Sequence, residues 1–316
     1  MPGLLSSDLE MLACPVCKGA LAETGNALSC ANCGCTYGIS EGVPQLLPSS
    51  ASVHDSVKED TESEREHFDS YYRTQRNNPV QLITDMEWIR RAKAPSSRPL
   101  DFWEYSFYLA GAVQGKKVLE LGCGGGWISR LLAYKGAAIS AVDISLEGCL
   151  AAREKLLSAG FHPDCIAVMD AHYTGFKDAT FDVVFIVGVL HHMNTGKLAS
   201  EVHRILRPGG RMVCYEPLKY GPLMWALRSV YLKLHGLKEY STSEHEEALQ
   251  DKDLDPFRQL FANSMVRRMN FIGKTNRFKN RFGLLARTLR WADYLLLSVF
   301  PFFRRYCTTV VCCFEK

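Results

Sequence analysis

Five cysteines fall between positions 14 and 35, and four of them form two matched pairs, Cys14-Pro-Val-Cys17 and Cys30-Ala-Asn-Cys33, with twelve residues between the pairs. Each pair fits one tight turn with both thiolates aimed at one centre, and two such turns complete the tetrahedral S₄ shell that suits a zinc ion. A shell closed by four thiolates has no open position for a reacting group, so the expected role is structural. Metal ligation would supply folding free energy on the order of 10 kcal/mol to a segment too small for a core of its own. Cys35 lies in the same turn as Cys33 and competes for the fourth place; the CxxC symmetry favours Cys33.

A second constellation begins at Val118-Leu-Glu-Leu-Gly-Cys-Gly-Gly-Gly-Trp127. It follows an apolar run of strand character and opens a helical one, the context in which a glycine-rich turn binds a ligand. Gly122 and Gly124 allow a tight turn and close backbone approach, and Gly126 allows close packing. The pattern Glu120-x-Gly-x-Gly-x-Gly differs from the GxGxxG of dinucleotide sites. An acid at the strand end suits a ligand bearing ammonium and sulfonium groups, not a pyrophosphate. Asp143, nineteen residues after Gly124, ends the next strand, where a carboxylate can accept hydrogen bonds from both hydroxyls of a ribose. Asp170 ends the third strand and is followed by Ala171, where an adenine edge would lie. Three acids at successive strand tips would face one crevice.

The elements that must position these groups read as alternating strands and helices. KKVLELG, AAISAVDIS, DCIAVMDA, FDVVFIVGV and GGRMVCYEP are apolar runs separated by stretches of helical spacing. That alternation indicates a mainly parallel sheet covered on both faces. TTVVCCFEK, with no helix behind it, reads as the closing edge strand. Ahead of the alternation, residues 1–48 form a Cys- and Gly-rich unit, and residues 49–66 are polar, mostly acidic and without periodicity, which reads as a linker. Residues 67–316 are expected to form the main domain, with 217–290 as a helical cap. Tyr71, Tyr72 and Trp103 are expected in an N-terminal helical cover that keeps water from the ligand, with Trp88 among the aromatics of the same stretch.

VLELGCGGG, AVDIS, MDAHY, FDVVFIVGVLHHM and LRPGGRM together resemble the successive motifs of class I S-adenosylmethionine-dependent methyltransferases, in the group that includes quinone-biosynthesis and natural-product enzymes. The resemblance implies a Rossmann-like, doubly wound, mainly parallel seven-stranded α/β sheet. It implies Glu120, Gly122, Cys123 and Gly124 around the methionine moiety, Asp143 and Ile144 at the ribose, Asp170 and Ala171 near adenine, and Tyr72 in the cover. His192 matches the more regular histidine of the Leu-His-His slot and is expected to act as base or acceptor positioner; His191 is the weaker candidate. Glu216, at the end of the fifth strand, could also face substrate, and His172 reads as a loop residue. Residues 8–48 resemble the zinc-ribbon domain of small activator proteins that partner tRNA and protein methyltransferases.

Composition narrows the setting. Hydrophobic residues at 47% and charged residues at 22% suit a globular domain with a core that needs no covalent staples, and a formal charge of +3 does not by itself call for nucleic acid. The N-terminus has neither the basic start nor the apolar run of a secretory signal, so a reducing cytoplasm is expected, where clustered cysteines bind metal. The apolar run from Ala292 to Phe303 contains Asp293 and Pro301 and falls short of the roughly 20 residues that span a bilayer. Residues 266–290 hold eight Lys or Arg and no acid, which suits a solvated helix face, an anionic acceptor, a peripheral membrane contact or RNA. The expected function is methyl transfer to oxygen, nitrogen or carbon of a small-molecule or lipid-like acceptor. The alternative is an RNA methyltransferase gripping nucleic acid with the ribbon and the basic cap. Against it, IVGVLHH lacks the Asn/Asp-Pro-Pro-aromatic tetrad of enzymes that methylate exocyclic base amines. A non-catalytic cofactor-binding partner is the third reading.

Overall fold

The computed structural model describes residues 6–48, 58–76, 102–218, 249–271 and 283–316. Among the described residues, eleven strands, numbered in chain order, join in one sheet in the order β1-β2-β3-β4-β7-β6-β5-β8-β9-β11-β10. The central strands are β5 (Lys117–Leu121), β6 (Ala138–Asp143), β7 (Cys165–Met169), β8 (Phe181–Val187) and β9 (Leu206–Pro217). All are mutually parallel. β11 (Thr309–Glu315) runs antiparallel to β9, and β10 (Asn263–Met269) runs antiparallel to β11. These seven strands are the expected Rossmann-like sheet, with β5 at the centre where the strand order reverses.

Burial explains why the central runs carry no polar alternation. Phe181, Val184, Phe185 and Ile186 of β8 have no exposed surface, because helices cover both faces of the sheet. Each such side chain contributes roughly 1.5–3 kcal/mol by leaving water. Capping fixes where the flanking helices begin. Helix α5 (Leu146–Ser158) starts at Ser145, whose hydroxyl accepts from Gly148 N at 3.0 Å, and α6 (Thr195–Ile205) starts at Asn194, whose side chain accepts from Lys197 N at 3.1 Å. Both helices therefore start just past the strand tips. Helix α4 (Trp127–Tyr134) begins directly after Gly126.

The N-terminal unit consists of α1 (Ser6–Met11), β1 (Leu21–Glu23), β2 (Ala27–Cys30), β3 (Thr36–Ser40) and β4 (Val43–Leu46). Its last strand does not stop at a domain boundary. β4 pairs in parallel with β7, Gln45 beside Val168 and Leu46 beside Met169, and so extends the main sheet by one strand. The loop after β7 is held from the same side: Ala13 N donates to Gly175 O at 2.8 Å, Lys177 N to Met11 O at 3.0 Å, and Lys18 Nζ to Thr174 O at 2.9 Å.

Three expectations need correction. The linker over 49–66 becomes helix from Lys58, where α2 (Lys58–Arg76) begins, so its charges do not mark unstructured chain there. TTVVCCFEK is an interior strand, because β10 pairs with its outer side. Residues 217–290 are not purely helical: they end β9, include the short helix α7 (Asp255–Leu260) and supply β10, while 219–248 and 272–282 lie outside the described residues. Trp88 also lies outside them. The remaining helices are α3 (Phe102–Ala110) and α8 (Gly283–Val299).

Candidate active site

A cavity of about 380 Å³ opens at the carboxyl ends of β5, β6, β7 and β8, the place where open parallel sheets bind ligands. The tip of β5 contributes Leu121 and Gly122, and β6 contributes Asp143 and the following Ile144. From β7 come Met169, Asp170, Ala171 and His172, and from the segment after β8 come Gly188, His192 and Asn194. The cover is α2, which presents Glu64, Phe68 and Tyr72. Their spacing of four residues puts all three on one helix face.

The glycine turn is held open by its own packing. Gly122 and Gly124 both have positive φ, at 75° and 45°; a Cβ at Gly122 would strike Val189, and one at Gly124 would strike the Tyr72 hydroxyl. Asp143 fixes the turn from the next strand: one carboxylate oxygen accepts from Gly124 N at 2.7 Å and the other from Ser145 N at 2.9 Å. Burial raises the Asp143 carboxyl above its ordinary value, against the pull of those backbone donors. The cover is anchored through Asp69, which accepts from Ser145 Oγ at 2.6 Å and from Glu147 N at 3.2 Å, and so caps the start of α5.

Glu120 and Cys123 do not line the cavity, contrary to expectation. Side chains alternate along a strand, so Glu120 faces away from Leu121, and it is 3% exposed. Its carboxylate accepts from Ser129 N at 2.6 Å and from the Ser129 hydroxyl, which satisfies an unpaired donor in the first turn of α4. Glu120 therefore shapes the turn from behind. Cys123 is buried in the core against Cys149, and the thiol pair together with burial holds its pKa well above the ordinary thiol value.

Burial pushes the Glu120 carboxyl up to about 8 from the ordinary 4.5, despite the Ser129 donors. Because the folded value lies above the unfolded one, its contribution to stability is complete below about 4.5 and is lost as pH rises through about 8. Glu120→Gln, which stays neutral, should therefore flatten the decline of thermal midpoint with pH over that window. Parallel profiles for the two proteins would show that this carboxyl titrates at its ordinary value.

Asp170 and His172 form a relay that the sequence reading missed. Asp170 Oδ1 accepts from His172 N at 2.8 Å and lies 2.8 Å from His172 Nδ1, while His172 Nε2 accepts from Asn194 N at 3.0 Å. These partners fix the Nδ1–H tautomer and tie the β7 tip to the segment after β8. Burial alone would raise Asp170; the His172 hydrogen bonds and charge outweigh it and hold the carboxyl below its ordinary value.

The two histidines after β8 separate. His192 lines the cavity, with Nδ1 at 3.1 Å from Glu64 Oε1 and its ring edge-on to Phe68. His191 Nδ1 lies 2.8 Å from Glu216, which has no exposed surface and also accepts from Val189 N and Leu190 N at 2.8 and 2.9 Å. Glu216 is thus a positioning residue for the turn that carries His192, not a group facing substrate. Trp103 packs against Trp127, Phe102 and Tyr215, and Tyr71 is largely exposed; of the expected aromatic cover, Tyr72 reaches the cavity.

At the other end of the chain, the sulfurs of Cys14, Cys17, Cys30 and Cys33 lie within 4.8 Å of one another, with Cys14–Cys33 at 3.6 Å and Cys17–Cys30 at 3.4 Å. A tetrahedral zinc with bonds of about 2.3 Å separates its sulfurs by about 3.8 Å, so the four thiols fit such an ion. Cys35 stands outside this group. Tyr37 Oη lies 3.0 Å from Cys14 Sγ, in place to orient that ligand.

Residues 119–214 match the family model described as a methyltransferase domain, and residues 9–42 match the Trm112p-like protein family. A ubiquinone biosynthesis O-methyltransferase of Idiomarina loihiensis is 31% identical over 144 residues, 44% of this chain and 58% of that protein. The sterol 4-C-methyltransferase strm-1 of Caenorhabditis elegans is 29% identical over 142 residues, 42% of each chain. The chain thus spans about half the length of the curated relatives it matches. Among solved structures, the magnesium protoporphyrin IX methyltransferase of Synechocystis PCC 6803 aligns with a TM-score of 0.46 at 16% identity, over 81% of this chain and all of that one.

Proposed function

We infer that this chain, which carries a methyltransferase domain behind a Trm112p-like domain, transfers a methyl group from S-adenosylmethionine to a small-molecule or lipid-like acceptor. The observation that carries the reading is the meeting of Gly122, Asp143, Asp170 and His192 around one cavity at the sheet's switch point. The donor supplies an electrophilic methyl on a sulfonium whose leaving group needs no proton. The chain's own task is then alignment and exclusion of water, worth up to roughly 7–11 kcal/mol in favourable cases.

In this reading Asp143 accepts the ribose hydroxyls. A carboxylate has about four lone-pair directions, and the two backbone donors at Gly124 and Ser145 leave others for the cavity. Ile144, Met169 and Ala171 provide an apolar slot for the adenine, with Asp170 at its edge. Gly122 leaves room for the methionine chain, and Tyr72 and Phe68 close the cavity from α2. His192 stands at the acceptor end. With Glu64 beside Nδ1, that nitrogen keeps its proton and Nε2 is the basic one, the arrangement of a histidine that receives an acceptor proton or orients the acceptor. Cys14, Cys17, Cys30 and Cys33 hold one structural Zn²⁺.

The names of the matched relatives, a sterol and a ubiquinone methyltransferase, support a hydrophobic small acceptor over RNA. The test is incubation of the purified chain with methyl-labelled donor and cell extract, followed by separation of lipid, small-molecule, protein and RNA fractions. Label is expected among lipids or small molecules. Label confined to RNA would instead establish the nucleic-acid alternative.

A further inference from the structure

A second cavity lies away from the strand tips of β5 to β8. It holds about 780 Å³ between β10 and α8, and Arg258, Arg267, Arg268, Arg304 and Arg305 contribute to its wall. Two of these arginines are matched: Arg268 lies 2.7 Å from Asp251 and Arg258 lies 2.7 Å from Asp255. The other three have no carboxylate partner among the described residues. Arg267 lies over the rings of Tyr105 and Tyr294, Arg304 donates to Leu297 O, and Arg305 donates to the Tyr306 hydroxyl.

Beside this basic cavity stands an apolar crest. Helix α8 turns Leu297 inward, yet its outer face is also apolar: Trp291, Leu295 and Val299 recur every four residues, with Leu295 at 54% and Val299 at 65% exposure. Phe300 and Phe302 continue the crest, Phe302 at 55% exposure, with Phe303 between them and Arg304 and Arg305. A helix apolar on both faces needs a cover on its outer side. Of the charges that border it among the described residues, Arg267, Arg304 and Arg305 have no carboxylate partner, while Asp251 and Asp293 also line the cavity. Aromatic and aliphatic side chains bordered by arginine suit a membrane interface with anionic headgroups. No helix among the described residues is long and apolar enough to cross a membrane, so a surface contact is the relevant one. Strand register puts the crest at the cofactor end of the sheet, since Met269 pairs with Thr309 and Thr309 with Pro217 at the carboxyl end of β9.

We propose that this end of the molecule docks on an anionic phospholipid surface, with Trp291, Leu295, Val299, Phe300 and Phe302 entering the headgroup–acyl boundary and Arg267, Arg304 and Arg305 receiving phosphate groups at the adjoining cavity. The docking needs no methyl donor and stands apart from the activity inferred above.

The test is sedimentation of the full chain with phosphatidylcholine vesicles and with vesicles that also contain about 30 mol% phosphatidylglycerol. The chain should pellet with the anionic vesicles, remain in solution with the neutral ones, and be released by salt. Arg304→Gln with Arg305→Gln should weaken partitioning about tenfold to thirtyfold. Phe300→Ser with Phe302→Ser should abolish it, and Val299→Ser, at the most exposed position, repeats that test if the phenylalanine pair disturbs folding. Leu157→Ser, on the exposed side of α5, should pellet like the wild type, with circular dichroism and thermal midpoint confirming that each variant is folded. Three results would overturn the proposal. The first is equal binding to neutral vesicles. The second is calorimetric binding of inorganic phosphate without vesicle binding, which makes the cavity a free-anion site. The third is a dimer abolished by the phenylalanine changes without vesicle binding, which makes the crest a contact between copies.

Discussion

Asp143→Ala is expected to weaken S-adenosylmethionine binding by about 100-fold or more while leaving the chain folded. Two losses combine. The ribose hydroxyls lose a charged acceptor, and hydrogen bonds to charged groups are worth about 1.5–3 kcal/mol each. The turn also loses its brace, because Gly124 N and Ser145 N both donate to this carboxylate. Asp143→Asn keeps one carbonyl oxygen and the shape of the side chain, so its loss should be smaller, about tenfold. Calorimetric titration with S-adenosylhomocysteine reads both variants, and a thermal midpoint taken alongside separates lost contacts from lost fold. Unchanged affinity in the alanine variant would remove Asp143 from the site.

Loss of the metal is expected to reach the cofactor cavity as well as the ribbon. Cys17→Ser, or treatment with a strong chelator, should release one zinc per chain and remove most of the folding free energy of the N-terminal unit, on the order of 10 kcal/mol. The damage spreads because β4 is a strand of the main sheet and pairs with β7, whose tip carries Asp170 and Ala171. The loop beyond that tip hangs on Met11, Ala13 and Lys18. When these contacts loosen, the Asp170–His172–Asn194 relay loses its support, and donor affinity should fall roughly tenfold. Metal analysis, thermal unfolding and titration of the same samples check the chain of effects. A zinc-free chain that binds donor as tightly as the intact one would show that ribbon and cavity are energetically independent.

What could be read before folding was the chemistry confined to one turn or one strand tip. The CxxC pairs bring their sulfurs together locally, and Asp143, Asp170 and the glycine turn meet because parallel strands end at one edge. Glu120 sits at a strand end like the other acids, but the two-residue period of a strand turns it away from the face of Leu121. Glu64 lies inside the charged run 49–66 that reads as linker, and Phe68 lies just past its end. Their spacing from Tyr72, eight and four residues, was the available signal. β10 escaped because a strand at the sheet edge tolerates arginines on its exposed face, and such a run looks like a basic helix face. The junction of β4 with β7 had no local mark at all: it is a pairing across more than a hundred residues, set by which edge of the sheet remains open.

The most direct test of the account is titration of the wild-type chain with S-adenosylmethionine and with S-adenosylhomocysteine. One molecule of either is predicted to bind per chain, with the Asp143→Ala variant showing a much weaker isotherm. A folded, zinc-loaded chain that binds neither compound would contradict the reading of the strand-tip cavity as a methyl-donor site.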